Sequence, residues 1–177
     1  MDLYTRIQKA REAGAVTRYH TARLIRGEDV AQHTFNMLNL ALILTNGSVS
    51  PALFCAILAH DMGERVVGDL PSPVKNSLGP EVMTFIHDLE DSAVREVHPT
   101  LLPIALRKGE LNLLTLCDNL DGLLKCMEEI RMGNSLVIPI ATRYHTYIVD
   151  ILDRSPQYKG IIRPILNEFR ELASIHL

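Results

Sequence analysis

The stretch ELNLLTLCDNLDGLLKCMEEIRMGN, Glu110 to Asn134, decides the fold. Leu113, Leu114, Cys117, Leu120, Leu124 and Met127 recur at the spacing of one helical face. Gly133-Asn134 is a stop signal, because both residues tolerate the left-handed backbone that ends helices. The pattern predicts a helix from about Glu110 to Met132. The same period extends outward in both directions. Leu3, Ile7 and Ala10 mark a first helix that Gly14 can end. Asp29 is a candidate N-cap for a second helix reaching Leu44, with Asn46-Gly47 as its stop. Ser50-Pro51 is a start signal for a third, expected to run to about Met62. The segment GDLPSPV, 68–74, holds two prolines and predicts a rigid turn. Gly79-Pro80 opens a helix to about Val97, and two more are expected near 136–153 and 160–175, with Pro164 as an alternative start for the last. Residues 15–28 read as irregular. No sustained alternation of period two is present. The expectation is an all-α bundle of about six to eight helices, one domain over residues 1–177.

The chain has 177 residues and a net charge of −3, which disfavours a nucleic-acid polymer as partner. Its longest apolar run, Pro51 to Ala59, is too short to span a bilayer. The segment MDLYTRIQKARE lacks the apolar core of a signal peptide. Three cysteines, Cys55, Cys117 and Cys126, form no CxxC pair and read as free thiols of a reduced, cytoplasmic protein. The pentapeptide Thr-Arg-Tyr-His-Thr occurs at 17–21 and again at 142–146. Its flanks do not match, so it reads as coincidence and not as a structural repeat.

Chemistry concentrates in a few places. His60-Asp61 closes an apolar helical stretch, where a polar pair is costly unless something satisfies it. A histidine nitrogen and a carboxylate oxygen there suit a divalent metal. His87-Asp88 repeats the two letters, but among acidic residues, where a solvated face explains them. His33 lies on the second helix near Val30 and Phe35, and Asp118 interrupts the apolar stripe of the 110–132 helix. Asp121 is the competing choice there, as a supporting group or a solvated one. His33, His60, Asp61 and Asp118 together form a two-histidine, two-aspartate set that leaves coordination positions for water or substrate. Glu64 is close enough to act on a metal-held water, and Asp69 is held by Pro71 and Pro73. Lys75 and Arg18 are candidate phosphate contacts. Arg23 and Arg26 are candidates for phosphates further out. No Gly-rich phosphate loop is present.

The ordered set His33, His60-Asp61, Asp118 resembles the HD-domain metal phosphohydrolases. His60-Asp61-Met62-Gly63-Glu64, Gly68-Asp69-Leu70-Pro71 and Pro73-Val74-Lys75 narrow the resemblance to the 5′-deoxynucleotidase branch. So do Leu124-Lys125-Cys126, Glu128-Glu129 and Gly133-Asn134 after Asp118. In length, and in Arg18-Tyr19-His20-Thr21, the chain is most similar to small phage enzymes of this branch. Those convert dATP to deoxyadenosine and triphosphate in phages that carry 2-aminoadenine DNA.

The resemblance implies that His33, His60, Asp61 and Asp118 bind Co²⁺, Zn²⁺ or Mn²⁺. Glu64 and Asp69 would handle the attacking water or the leaving oxygen, and Arg18 and Lys75 would hold phosphate. Tyr19 stands where the bacterial enzymes carry a tryptophan against the sugar, and Gln32 where many carry a glutamate. The expected partners are a small deoxynucleotide substrate and further copies of the chain, with no polymer and no membrane. The expected location is the cytoplasm, that of the host if the protein is phage-encoded. The favoured reaction is water attack on the α-phosphorus of dATP. The alternative is release of phosphate from deoxynucleoside 5′-monophosphates. A different class of reading is a non-catalytic nucleotide sensor, which loss of a ligand or of Glu64 would signal; none is lost.

Overall fold

Helix α7, Lys108–Arg131, is the axis of the molecule, and its neighbours are set by which residues it buries. Leu113, Cys117, Leu120 and Met127 are buried as the apolar stripe predicts, while Leu114 and Leu124 are only partly covered. The burial also extends to Asn119, Asp121, Lys125 and Glu129. A helix covered on more than one face brings its polar residues inside, where each requires a partner. The computed structural model describes residues 1–175. His176 and Leu177, the end of the expected domain, lie outside the described residues.

Around α7 the described residues form α1 (Leu3–Gly14), α2 (Val30–Leu44), α3 (Pro51–Ala59), α4 (Glu64–Val67), α5 (Ser72–Ser77), α6 (Pro80–Val97), α8 (Ile138–Arg154) and α9 (Lys159–Ser174). The main core joins α2, α3, α7, α8 and α9 through residues such as Met37, Ile57, Leu120, Ile148 and Ile162. A smaller cluster of Ala13, Ala59, Met62, Val94 and Val97 ties α1 and α6 to the end of α3. No helix among the described residues is long and apolar enough to cross a membrane.

The caps act as the sequence implies. The Asp29 side chain accepts from the Gln32 N–H, and Ser50 from the Leu53 N–H ahead of Pro51. Several boundaries differ from expectation. Helix α3 stops at Ala59, so His60 and Asp61 leave the helical register where it ends. A short helix α4 precedes the proline-bearing segment, and the segment itself runs into a second, α5, since Pro73 occupies the first turn of α5, where no N–H is needed. Those two additions bring the helices among the described residues to nine. Pro164 lies inside α9 and does not start it; the helix enters through a single 3-10 turn at Pro156–Tyr158. The segment expected to be irregular holds a two-strand antiparallel ribbon, β1 (Thr17–Arg18) with β2 (Glu28–Asp29), which sets Arg18 opposite Glu28.

Candidate metal centre

Helix α2 delivers His33, the end of α3 delivers His60 and Asp61, and α7 delivers Asp118. These three segments converge. His33 Nε2 lies 3.3 Å from Asp118 Oδ1 and 3.5 Å from Asp61 Oδ2. His60 Nε2 lies 3.4 Å from Asp61 Oδ1 and 3.9 Å from Asp118 Oδ2. Ligand atoms of His33, His60 and Asp61 all fall within 4.8 Å of one another. His87 and Asp88 are exposed on α6, away from this group.

The tautomer of His33 follows from its partner. Its Nδ1 is 2.6 Å from Asp121 Oδ2, and a carboxylate only accepts, so Nδ1–H donates. Asp121 is therefore the supporting group of the two readings open to it. Nε2 then carries the lone pair, and it is buried without a hydrogen-bond partner. An unpaired buried nitrogen facing two carboxylates fits a divalent cation, which would take lone pairs from two imidazoles and two carboxylates. Without one, protons do the neutralising. Burial pushes His33 down, but the carboxylates of Asp118 and Asp121 beside its two nitrogens outweigh it and hold the ring up to about 9. Desolvation likewise pushes His60 down, and Asp61 and Asp118 bring it up to about 9. Burial raises the Asp118 carboxyl, yet the two histidines hold it well below the usual carboxylate range.

A cavity of about 260 Å³ opens on this group. It is lined by His60, Asp61 and Asp118, by Glu64, Asp69 and Lys75, and by Arg18 and Tyr19. Eight of the expected residues thus border one space, and His33 stands against the carboxylates of two of them. Arg18 is not a solvated cation. It is buried, its Nη1 2.6 Å from Asp61 Oδ2 and its Nε 3.3 Å from Glu28 Oε2. Glu64 is buried too. Desolvation, with Asp61 and Asp69 nearby, pushes its carboxyl up to about 8, against the pull of Lys75 at 3.7 Å. One oxygen of Asp69 accepts from the Tyr19 N–H at 3.1 Å, so this carboxylate also shapes the backbone opposite it.

Arg23 and Arg26 do not line the cavity. Glu129 explains why. It accepts from the Ile25 and Arg26 N–H groups at 2.6 and 2.9 Å and from Asn134 Nδ2 at 2.8 Å, with Lys125 Nζ at 3.3 Å. Asn134 and Lys125 also donate to the Arg23 and Arg26 carbonyls. The Lys125, Glu129 and Asn134 motif is thus a clamp that ties the 23–26 loop to the end of α7 and fixes the ribbon bearing Arg18.

Glu28, Arg143, Tyr144 and Tyr147 were not singled out as site residues. Glu28 lay in a segment without periodicity. The tyrosines and Arg143 come from α8 and line the cavity wall facing Tyr19. The second Thr-Arg-Tyr-His-Thr was the available signal. The two copies are no structural repeat, since one enters a strand and the other lies mid-helix, yet they meet across the cavity.

Comparison with known proteins agrees with this geometry. The family model described as 5′-deoxynucleotidase YfbR-like matches residues 7–158. The 5′-deoxynucleotidase YfbR of Salmonella typhi is 32% identical over 139 residues, 68% of this chain and 70% of that protein. The YfbR of Escherichia coli K12 is 30% identical over 148 residues, 72% of this chain and 74% of that protein. An HD-domain phosphohydrolase from Listeria innocua superposes with a TM-score of 0.75 over 96% of this chain and 90% of its own, at 20% identity, a likeness of fold. With ligand candidates converging from three segments and a family match over most of its length, the chain belongs to the 5′-deoxynucleotidase YfbR-like family.

Proposed function

We propose that this HD-domain phosphohydrolase is a divalent-metal-dependent 5′-deoxynucleotidase, releasing phosphate and a deoxynucleoside from deoxynucleoside 5′-monophosphates. The observation that carries the reading is the unpartnered, buried His33 Nε2 facing Asp61 and Asp118, on a cavity that also holds Glu64, Arg18 and Lys75. The relatives named as 5′-deoxynucleotidases support this substrate class over the dATP reading.

In this reading His33, His60, Asp61 and Asp118 hold the cation. A divalent cation there supplies Lewis-acid polarisation of a phosphoryl oxygen. Arg18, braced by Asp61 and Glu28, presents its remaining guanidinium edge to the phosphate. Lys75, 3.7 Å from Glu64, adds a positive charge on the same cavity. Glu64, buried on the same cavity with Lys75 3.7 Å away, takes the proton from the attacking water. Asp69 holds Tyr19 and borders the same space, placed to assist at the leaving oxygen. Cytoplasmic location, one domain and self-association belong to the same proposal.

One observation favours the second reading, attack on the α-phosphorus of dATP. Arg143 lines the same cavity and offers charge for further phosphates. A panel of deoxynucleoside and ribonucleoside mono- and triphosphates, with Co²⁺, Mn²⁺ or Zn²⁺ and read by product identity, tests both. Phosphate from monophosphates supports the nucleotidase. Free triphosphate from dATP, lost in Arg143→Ala, supports the second reading. No metal-dependent product from any nucleotide overturns both.

A further inference from the structure

Helices α8 and α9 leave a groove of about 350 Å³ between them, which shares no lining residue with the cavity at the candidate metal centre. Its floor is apolar: Leu152 and Leu166 are buried and Val149 is half-buried. Its rim is basic, although the chain as a whole carries a net charge of −3. Lys159, Arg163, Asn167 and Arg170 line it from α9, and all four are exposed. Spaced by four, four and three residues, they form one stripe along that helix.

The arginines of this stripe are left for a ligand. Asp153 is the one carboxylate among the lining residues, and it pairs with Lys159 at 2.8 Å. Glu168, next to Asn167 in sequence, turns instead to Arg131 of α7. Arg163 and Arg170, about 10 Å apart along α9, enter no ion pair among the described residues.

Each part of the groove selects a chemistry. A guanidinium is a planar fork that matches phosphate oxygens. The Asn167 amide, between the two arginines, both donates and accepts, as the edge of a nucleobase requires. The apolar floor suits a flat ring. A bare oxyanion would use the arginines and leave both Asn167 and the floor unused. Helix α8 borders both spaces: Arg143, Tyr144 and Tyr147 line the first cavity, and Val149 and Leu152 line the groove.

We infer that the α8–α9 groove is a second binding site, separate from the cavity at the metal centre, for a nucleoside phosphate. Arg163 and Arg170 take its phosphate oxygens, and Asn167 takes the edge of its base. This goes beyond the reaction proposed above and does not depend on which nucleotide the first cavity hydrolyses.

The test is isothermal titration of the full metal-loaded chain. The probe is the dATP analogue in which a methylene replaces the 5′ oxygen, so that neither proposed hydrolysis cleaves it. Inorganic tripolyphosphate is the base-free control. Arg163→Ala and Arg170→Ala are each expected to weaken one binding event for the analogue about tenfold or more, the scale of losing a charged hydrogen bond. Asn167→Ala should weaken the same event while leaving tripolyphosphate affinity unaltered. All three side chains are exposed and outside the metal centre, so metal-dependent turnover should stay at the wild-type value. Unchanged analogue binding in both arginine variants overturns the inference. So does tripolyphosphate binding at the groove as tightly as the analogue, since the base then contributes nothing. A chain that turns over no nucleotide, yet shows the arginine-dependent event, overturns the reaction proposed above and leaves the groove site standing.

Discussion

His33 and Asp121 share a 2.6 Å hydrogen bond wholly inside the protein, between α2 and α7. It determines which imidazole nitrogen faces the cavity side of the site. Removing Asp121 leaves Nδ1–H without its acceptor and frees the ring to change tautomer. Asp121→Ala is expected to lower metal affinity about 10- to 100-fold, the usual effect of losing such a support. Metal content after dialysis, compared with the melting temperature, checks this; full retention of metal would remove Asp121 from the role.

Asp61 and Glu64 stand three residues apart on one cavity but have different expected roles. Asp61→Ala should lose both metal and turnover. Glu64→Gln should keep metal and lose turnover by about 100-fold or more, the scale of general acid–base catalysis. If metal is lost equally in both, Glu64 is a ligand. His87→Ala, altering an exposed residue of α6, should leave both unchanged.

Gly63 separates these two residues because α6 passes directly over it. A Cβ there would stand 2.6 Å from Glu90 Cα, a backbone atom with nowhere to go. Gly63→Ala should destabilise the fold by about 1–3 kcal/mol, the range for overpacking, and shift Glu64 at the same time. Denaturant unfolding with an assay on the folded fraction separates the two effects; an unperturbed midpoint would refute the contact.

Glu129 predicts an acid transition. Burial raises its carboxyl, but the donors from Asn134, Ile25, Arg26 and Lys125 outweigh this and hold it at about 2, against an ordinary 4.5. A folded value below the unfolded one means the stabilisation is complete above about pH 4.5. It is lost as pH falls from there toward 2. Glu129→Gln should flatten this part of the stability–pH curve and, by disturbing the clamp on the 23–26 loop, destabilise the neutral protein by about 1.5–3 kcal/mol. Urea midpoints across pH 3–7 give the answer; parallel curves for variant and wild type would sink it.

Much of the fold could be read along the chain because helices are local. Periodicity in Glu110–Met132, the Asp29 cap and Ser50-Pro51 each involve residues within a turn or two of one another, so their consequences are written side by side. The His60-Asp61 pair was also legible, as polar groups where an apolar helix stops. The proline segment misled, because proline forbids a helix interior but favours a first turn, and α5 uses the second property.

Sequence by itself determined the α-helical class, most helix limits, and the residue types able to hold a cation. Tertiary structure alone decided that Asp121 faces His33, that Glu28 braces Arg18, and that Tyr144 reaches Tyr19. The reason is physical. A helix's own hydrogen bonds close within four residues, whereas the face it turns to a distant segment depends on how side chains such as the Tyr144 ring and the absent Cβ of Gly122 interlock.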